Sequence, residues 1–199
     1  METFSIILSC IAGVCFATAY ITYNLGVHKG NTPPNGATWA IWSAISILSA
    51  SSYFFATGDF WKSVIPFMNI FLCIGTFLLA LFTGKFKKID IADFLALGIG
   101  LIAAVVWYVY RSATYGNAVV QFATMVGFIP TWRSIWKNPE SEPAIPWWIW
   151  SAAYATSLMV VLLRWNGQWI DPVYSINCTI LHASVPVICY LRAKKITTR

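Results

Sequence analysis

Apolar residues run along this chain in seven stretches, roughly 4–25, 37–57, 63–83, 91–110, 116–136, 146–164 and 172–191. Each is about the 20 residues that a helix needs to cross a hydrocarbon core. The interruptions are short and carry turn residues: GVHKGNTPPNG, GDFWK, GKFKKID, RSATYG, KNPESEP and RWNGQWID. No alternating strand pattern runs through them. Helices are therefore the expected spanning elements, since only helices and closed barrels satisfy every backbone group in lipid. Loops this short leave no room for a soluble domain. The first stretch follows Glu2 with no Lys or Arg before it and is too long for a secretory leader, so it is read as a helix of the folded protein.

Composition points the same way. The chain is 58% hydrophobic and 10% charged, where soluble domains carry about 25% charged residues. So little charge cannot cover a water-facing surface, and the expected fold class is an all-α integral membrane protein with seven transmembrane helices. The cysteines (Cys10, Cys15, Cys73, Cys178 and Cys189) all fall inside the apolar stretches without CxxC spacing. They read as small packing residues, with no disulfide, metal or cofactor expected. Two His and seven acidic residues form no catalytic constellation, and neither GxSxG nor a Gly-rich phosphate loop occurs. Enzymatic activity is not expected.

Charge sets the topology. With the loops assigned alternately to two sides, the N-terminal side carries Lys62, Arg111 and Arg164. The other carries Lys29, Lys85, Lys87, Lys88, Arg133, Lys137, Arg192, Lys194, Lys195 and Arg199. Cytoplasmic loops concentrate Lys and Arg, so the N-terminus is expected outside and the C-terminus in the cytoplasm. The net charge of +6 is then a topology signal, not a nucleic-acid site. The tail LRAKKITTR is placed to touch anionic lipid. Short loops suggest a prokaryotic plasma membrane.

One phrase occurs twice. WAIWSA (39–44) and WWIWSA (147–152) share five of six letters at a spacing of 108 residues. In the same register Lys29 meets Lys137, Ser49 meets Ser157 and Asn69 meets Asn177. This register lays stretches 1, 2 and 3 on 5, 6 and 7, and leaves the fourth unpaired. A single linking helix returns the chain so that the second triplet enters in the same direction as the first. The expected organisation is a first three-helix repeat (1–84), a linker helix with its loops (85–115) and a second repeat with a short basic tail (116–199).

This 3+1+3 plan, with the N-terminus outside, resembles the SWEET sugar-transporter family and the wider PQ-loop superfamily. The stretch GFIPTWRSIWKNPESEPAIPWWIWS (127–151) is similar to a PQ-loop segment, with PTW where the namesake has PQ. The resemblance implies a transporter that carries a small, neutral, polar, sugar-like solute by alternating access between two bundles. It implies that an Asn in the third helix of each triplet lines the central site, the place of Asn69 and Asn177. Nicotinamide riboside transporters share the plan and are also Trp-rich, so a vitamin or nucleoside transporter is the alternative. Receptors or scaffolds of the same fold, which do not transport, are a third reading. The expected partners are a small solute and the bilayer, and self-association stays open.

The residues themselves suggest roles. Asn69 and Asn177 place amides at mid-membrane, where an unmade hydrogen bond costs several kcal/mol. They are either glue between helices or a pair facing one solute. Trp39 and Trp147 suit the interfacial aromatic belt. Trp42 and Trp150, one turn deeper, suit a cytoplasmic gate at the substrate site. Ser43 and Ser151 permit close helix approach. Pro130 removes a backbone donor and makes a hinge, as do Pro66 and Pro186 in their helices. Arg133 stands near the cytoplasmic end of its helix, where it either snorkels to the headgroups or forms a gating ion pair with Glu140 or Glu142. Asp93 suits a helix N-terminus. His182 is an ionisable group at mid-membrane and a candidate for solute binding or proton coupling. Tyr53 is a further lining candidate, with Tyr23, Asn24, Gln121 and Tyr174.

Overall fold

A computed structural model of the chain describes residues 1–30, 36–83 and 91–197. Lys85, Lys87, Lys88 and Arg199, and the side chains of Asp93 and Lys195, lie outside what is described, with the expectations placed on them. Within the described residues the chain is helical and no strand occurs. The helices are α1 (Glu2–His28), α2 (Gly36–Thr57), α3 (Val64–Phe82), α4 (Ile91–Tyr110), α5 (Ala113–Gly127), α6 (Ile129–Lys137), α7 (Ala144–Leu163) and α8 (Asp171–Thr197). A single 3-10 turn, Pro139–Ser141, joins α6 to α7.

Five of these helices, α1, α2, α3, α7 and α8, are long and apolar enough to cross a membrane. Their outer faces are apolar as well. On α1, Ile7, Ile11, Val14, Ile21 and Leu25 all point outward and are exposed. Such a stripe is unfavourable in water and costs nothing against lipid tails.

The expected fifth span, 116–136, is not one helix. It is broken at Phe128 into α5 and α6. Pro130 explains the break, because it has no N–H to offer the carbonyl of residue 126. The Phe128 N–H turns back tightly to the Met125 carbonyl at 3.2 Å, and the Trp132 N–H restarts the ladder on the Phe128 carbonyl at 2.9 Å. Pro130 thus sits in the first turn of α6, where a missing donor costs little. Ser112 caps the other end of α5 by accepting from the Tyr115 N–H.

Helix α3 packs against both α1 and α2, and α8 packs against α7, α6 and α5. Helix α1 also packs on α7, and α2 on α5. Helix α4 lies against α5 and α2. Ser43, Ser46, Ser49 and Ser52, each buried, make a small-residue stripe along α2 at three-residue spacing. The stripe lets α5 approach closely. Buried Asn117 on α5 donates from Nδ2 to Ser52 Oγ at 3.0 Å and to the Ser49 carbonyl at 3.3 Å.

Helices α4 and α5 meet at Gly116. A Cβ there would lie 2.9 Å from Trp107 Cβ and 3.5 Å from the Ala103 carbonyl oxygen. Gly116→Ala is therefore expected to force the pair apart and lower stability by about 1–3 kcal/mol, the usual cost of overpacking. Thermal unfolding in detergent measures it. An unchanged melting temperature would mean that α4 shifts on α5 at no cost.

Candidate functional site

The two repeated Trp pairs converge. Trp39 and Trp42, on the first turns of α2, have ring centroids 5.2 Å apart, and Trp147 and Trp150 of α7 are 5.1 Å apart. Trp42 meets Trp147 between α2 and α7 at 6.4 Å, and Phe128, at the α5–α6 break, stacks on Trp42 at 5.3 Å. Tyr20 and Tyr23 of α1 close the layer against Trp150 at 4.9 and 5.6 Å. Edge-to-face and tilted contacts of this kind are worth about 0.5–1.5 kcal/mol each beyond the area they bury. Trp39 and Trp147 do not form the expected interfacial belt. They are 4% and 2% exposed and belong to the core. The reason is that Tyr20, Tyr23 and Phe128 cover them, and that the Trp147 indole N–H finds Glu142 Oε2 at 3.1 Å.

Beneath this layer lies a cavity of about 50 Å³, lined from α1, α2, α3, α5, α7 and α8. Trp42, Trp150, Tyr20, Asn69, Tyr154 and His182 line it. Its chemistry is set by polar atoms held among rings. The Nε1 atoms of Trp42 and Trp150 are both buried and have no hydrogen-bond partner among the described residues. Asn69 accepts at Oδ1 from the Tyr20 hydroxyl at 2.6 Å, which leaves its amide donor for the cavity. His182 is held through Nδ1, 2.8 Å from the Cys178 carbonyl oxygen.

The other candidates fall elsewhere. Asn177 does not line this cavity. Its Nδ2 donates to the Gln121 carbonyl at 3.1 Å and to Gln121 Oε1 at 3.2 Å, tying α8 to α5 beside a separate outward-facing groove. Asn69 and Asn177, placed in one register by the 108-residue spacing, therefore have different surroundings. Tyr53 is fully buried outside the cavity, where its hydroxyl donates to the Asp171 carbonyl at 2.8 Å. Pro130 stands beside the cavity wall at the α5–α6 break, and Arg133 is exposed on α6. The α6 segment is held to α8 by the Trp132 indole N–H, which donates to Ser184 Oγ at 2.7 Å.

At the opposite end from the Trp layer, two ion pairs join the α2–α3 loop to the α7–α8 segment. Lys62 Nζ meets Asp171 Oδ2 at 2.5 Å, with side chains 1% and 0% exposed. Arg164 Nε meets Asp59 Oδ2 at 2.7 Å, with exposures of 20% and 18%. The exchange is reciprocal: the α2–α3 loop gives one anion and one cation, and the α7–α8 segment gives one of each in return. Asp59 is itself fixed by accepting from the Trp61 N–H at 2.9 Å. Arg164 also donates to Ser5 Oγ at 3.0 Å, which brings in α1. Counting Lys62 and Arg164 only as topology signals overlooked this. The signal lay in the two short loops GDFWK and RWNGQWID, which carry opposite charges in opposite order.

The fold and the cavity together define an all-helical chain with membrane-length apolar helices around a small aromatic chamber that offers unused hydrogen-bond donors. Comparison with protein-family models, with curated proteins and with solved structures gave no match.

Proposed function

We propose that this chain is an integral membrane transporter for a small, neutral, polar solute, built as two parallel three-helix units joined by the linker helix α4. The packing supports the repeat. Sliding by 108 residues turns the α1–α7 contact into the α5–α2 contact, and the place of α3 between α1 and α2 into the place of α8 between α5–α6 and α7. The ten-to-three division of basic residues supports a cytoplasmic position for the Trp end, in a plasma membrane of prokaryotic type. SWEET-like and PQ-loop-like transporters are the class that this arrangement resembles.

The observation that carries the reading is the chamber between the units, with two indole N–H groups that no protein atom satisfies. Buried donors are costly unless something pairs with them, and a solute with acceptor oxygens would do so. The Trp and Phe layer closes one end, and the Lys62–Asp171 and Arg164–Asp59 pairs close the other. A chamber of about 50 Å³ is well below the roughly 300–1,000 Å³ of ligand pockets. The units must therefore part to admit a solute, and alternate parting at the two ends is the transport cycle. The rings around the chamber favour one variant of this reading, a flat vitamin or nucleoside that stacks on Trp and Tyr.

The test is a thermal-shift panel of sugars, polyols, nucleosides, pyridine vitamins and neutral amino acids on the purified protein, followed by flux of any hit into liposomes. A ligand that binds only the folded state raises its stability by about 2.7 kcal/mol at one hundred times its dissociation constant. Asn69→Ala is expected to abolish the shift, and Asn177→Ala to leave it in place. A hit that survives Asn69→Ala would move the site out of this chamber. A hit that binds without flux would favour a receptor.

A further inference from the structure

His182 presents its two ring nitrogens to different surroundings. Nδ1 lies 2.8 Å from the Cys178 carbonyl oxygen. A carbonyl oxygen only accepts, so the hydrogen sits on Nδ1, and in the neutral ring Nε2 carries the bare lone pair. The ring is surrounded by other rings. Trp147, Trp150 and Tyr154 of α7 lie at 5.4, 5.8 and 4.7 Å, and Phe128 from the α5–α6 break lies at 5.1 Å. The described lining of the chamber includes no Asp, Glu, Lys or Arg. Besides the hydroxyls of Ser46, Thr124, Tyr154 and Tyr174 and the Asn69 Oδ1 already taken by Tyr20, the lining offers the second ring nitrogen of His182 as an acceptor that carries no hydrogen of its own.

We infer that His182 Nε2 is the hydrogen-bond acceptor that selects the solute, and that the solute class is a small neutral ring compound bearing at least one O–H or N–H as well as acceptor oxygens. The inference rests on the transporter reading and sharpens it. The indole N–H groups of Trp42 and Trp150 and the Asn69 amide meet the solute's acceptors. The lone pair on His182 meets its donor. A solute with every donor methylated leaves that lone pair facing a methyl group, buried and unpaired. Sites built to pair a solute's polar hydrogen reject analogues that lack it.

The experiment uses two matched pairs of probes: nicotinamide with N,N-dimethylnicotinamide, and glucose with pentamethyl glucose. Binding is read by thermal shift and by equilibrium titration on the full chain in detergent. The expected result is that the donor-bearing member of at least one pair binds, and that its methylated twin binds tenfold or more weakly. His182→Phe keeps a ring and removes the acceptor, and is expected to erase the difference between twins by weakening the donor-bearing one. His182→Gln places an amide oxygen near the position of Nε2 and is expected to restore part of it. Equal binding of the twins to the unaltered protein overturns the inference even if His182→Phe fails to fold. Preference for the donor-bearing twin that persists in folded His182→Phe overturns it too. Binding of neither pair overturns this inference, and the transport reading falls with it only if the whole panel of sugars, polyols, nucleosides, pyridine vitamins and neutral amino acids also fails to bind.

Discussion

Asp171→Ala is expected to cost about 3–5 kcal/mol of stability, the penalty for leaving one member of a buried ion pair without the other. The substitution strands Lys62, whose side chain is 1% exposed and has Asp171 as its charge partner at 2.5 Å. Desolvating an ammonium without a counter-charge is what makes the loss large. Lys62→Met is expected to cost a similar amount by stranding the carboxylate. The double variant Lys62→Met/Asp171→Asn removes both charges, and is expected to regain most of the loss, because buried pairs are seldom net stabilising over apolar replacements. Arg164→Ala gives the contrast. Its pair with Asp59 is 20% and 18% exposed, and solvent reduces such a pair to about 1 kcal/mol or less. Thermal unfolding of the four variants separates these cases. If Asp171→Ala melts with the unaltered protein, the pair does not form in the membrane-protein state. If the double variant melts as low as the singles, packing of the Lys62 stem and not charge holds this end.

Trp150 carries the second large effect, and two substitutions divide it. Trp150→Ala empties a site that is 2% exposed and in ring contact with Tyr20, Tyr23, Trp147 and His182. A loss of about 3–5 kcal/mol is expected, as for large aromatic truncations in other cores. Trp150→Phe keeps much of the ring volume, and its stability is expected to fall far less. What it removes is the unpaired Nε1 donor. Combined with Trp42→Phe, it takes both indole donors from the chamber. Each hydrogen bond is worth about 0.5–1.5 kcal/mol net, so solute affinity is expected to fall by about 10- to 100-fold while the fold persists. Titration of a hit from the solute panel measures this. A double Phe variant that binds as well as the unaltered protein would show that the indole donors do not touch solute.

The positions and types of the elements were legible in the residue order. A run of about 20 apolar residues makes its own backbone hydrogen bonds and needs no knowledge of its neighbours. Long helices, α1 to α4, α7 and α8, occur at six of the seven predicted runs, and Pro130 marks the break in the seventh through a purely local effect, its missing N–H. The WxIWSA phrase singled out the four Trp residues by their matched positions near the starts of two helices, but not their burial.

Only the tertiary structure decided which faces meet. Asn69 and Asn177 share one register at a spacing of 108 residues, yet one lines the chamber and the other pairs with Gln121. Their neighbours determine that: Tyr20 of α1 meets Asn69, and Gln121 of α5 meets Asn177. The belt assigned to Trp39 and Trp147 gave way to burial for the same reason: their covering rings come from α1 and from the α5–α6 break. The ion pairs depend most on the fold. Lys62 and Asp171 are 109 residues apart, and Asp59 and Arg164 are 105 apart. Composition shows that such charges exist, but in water their attraction at 4 Å is only about 1 kcal/mol and is screened beyond about 10 Å, so it counts only after packing brings the partners together.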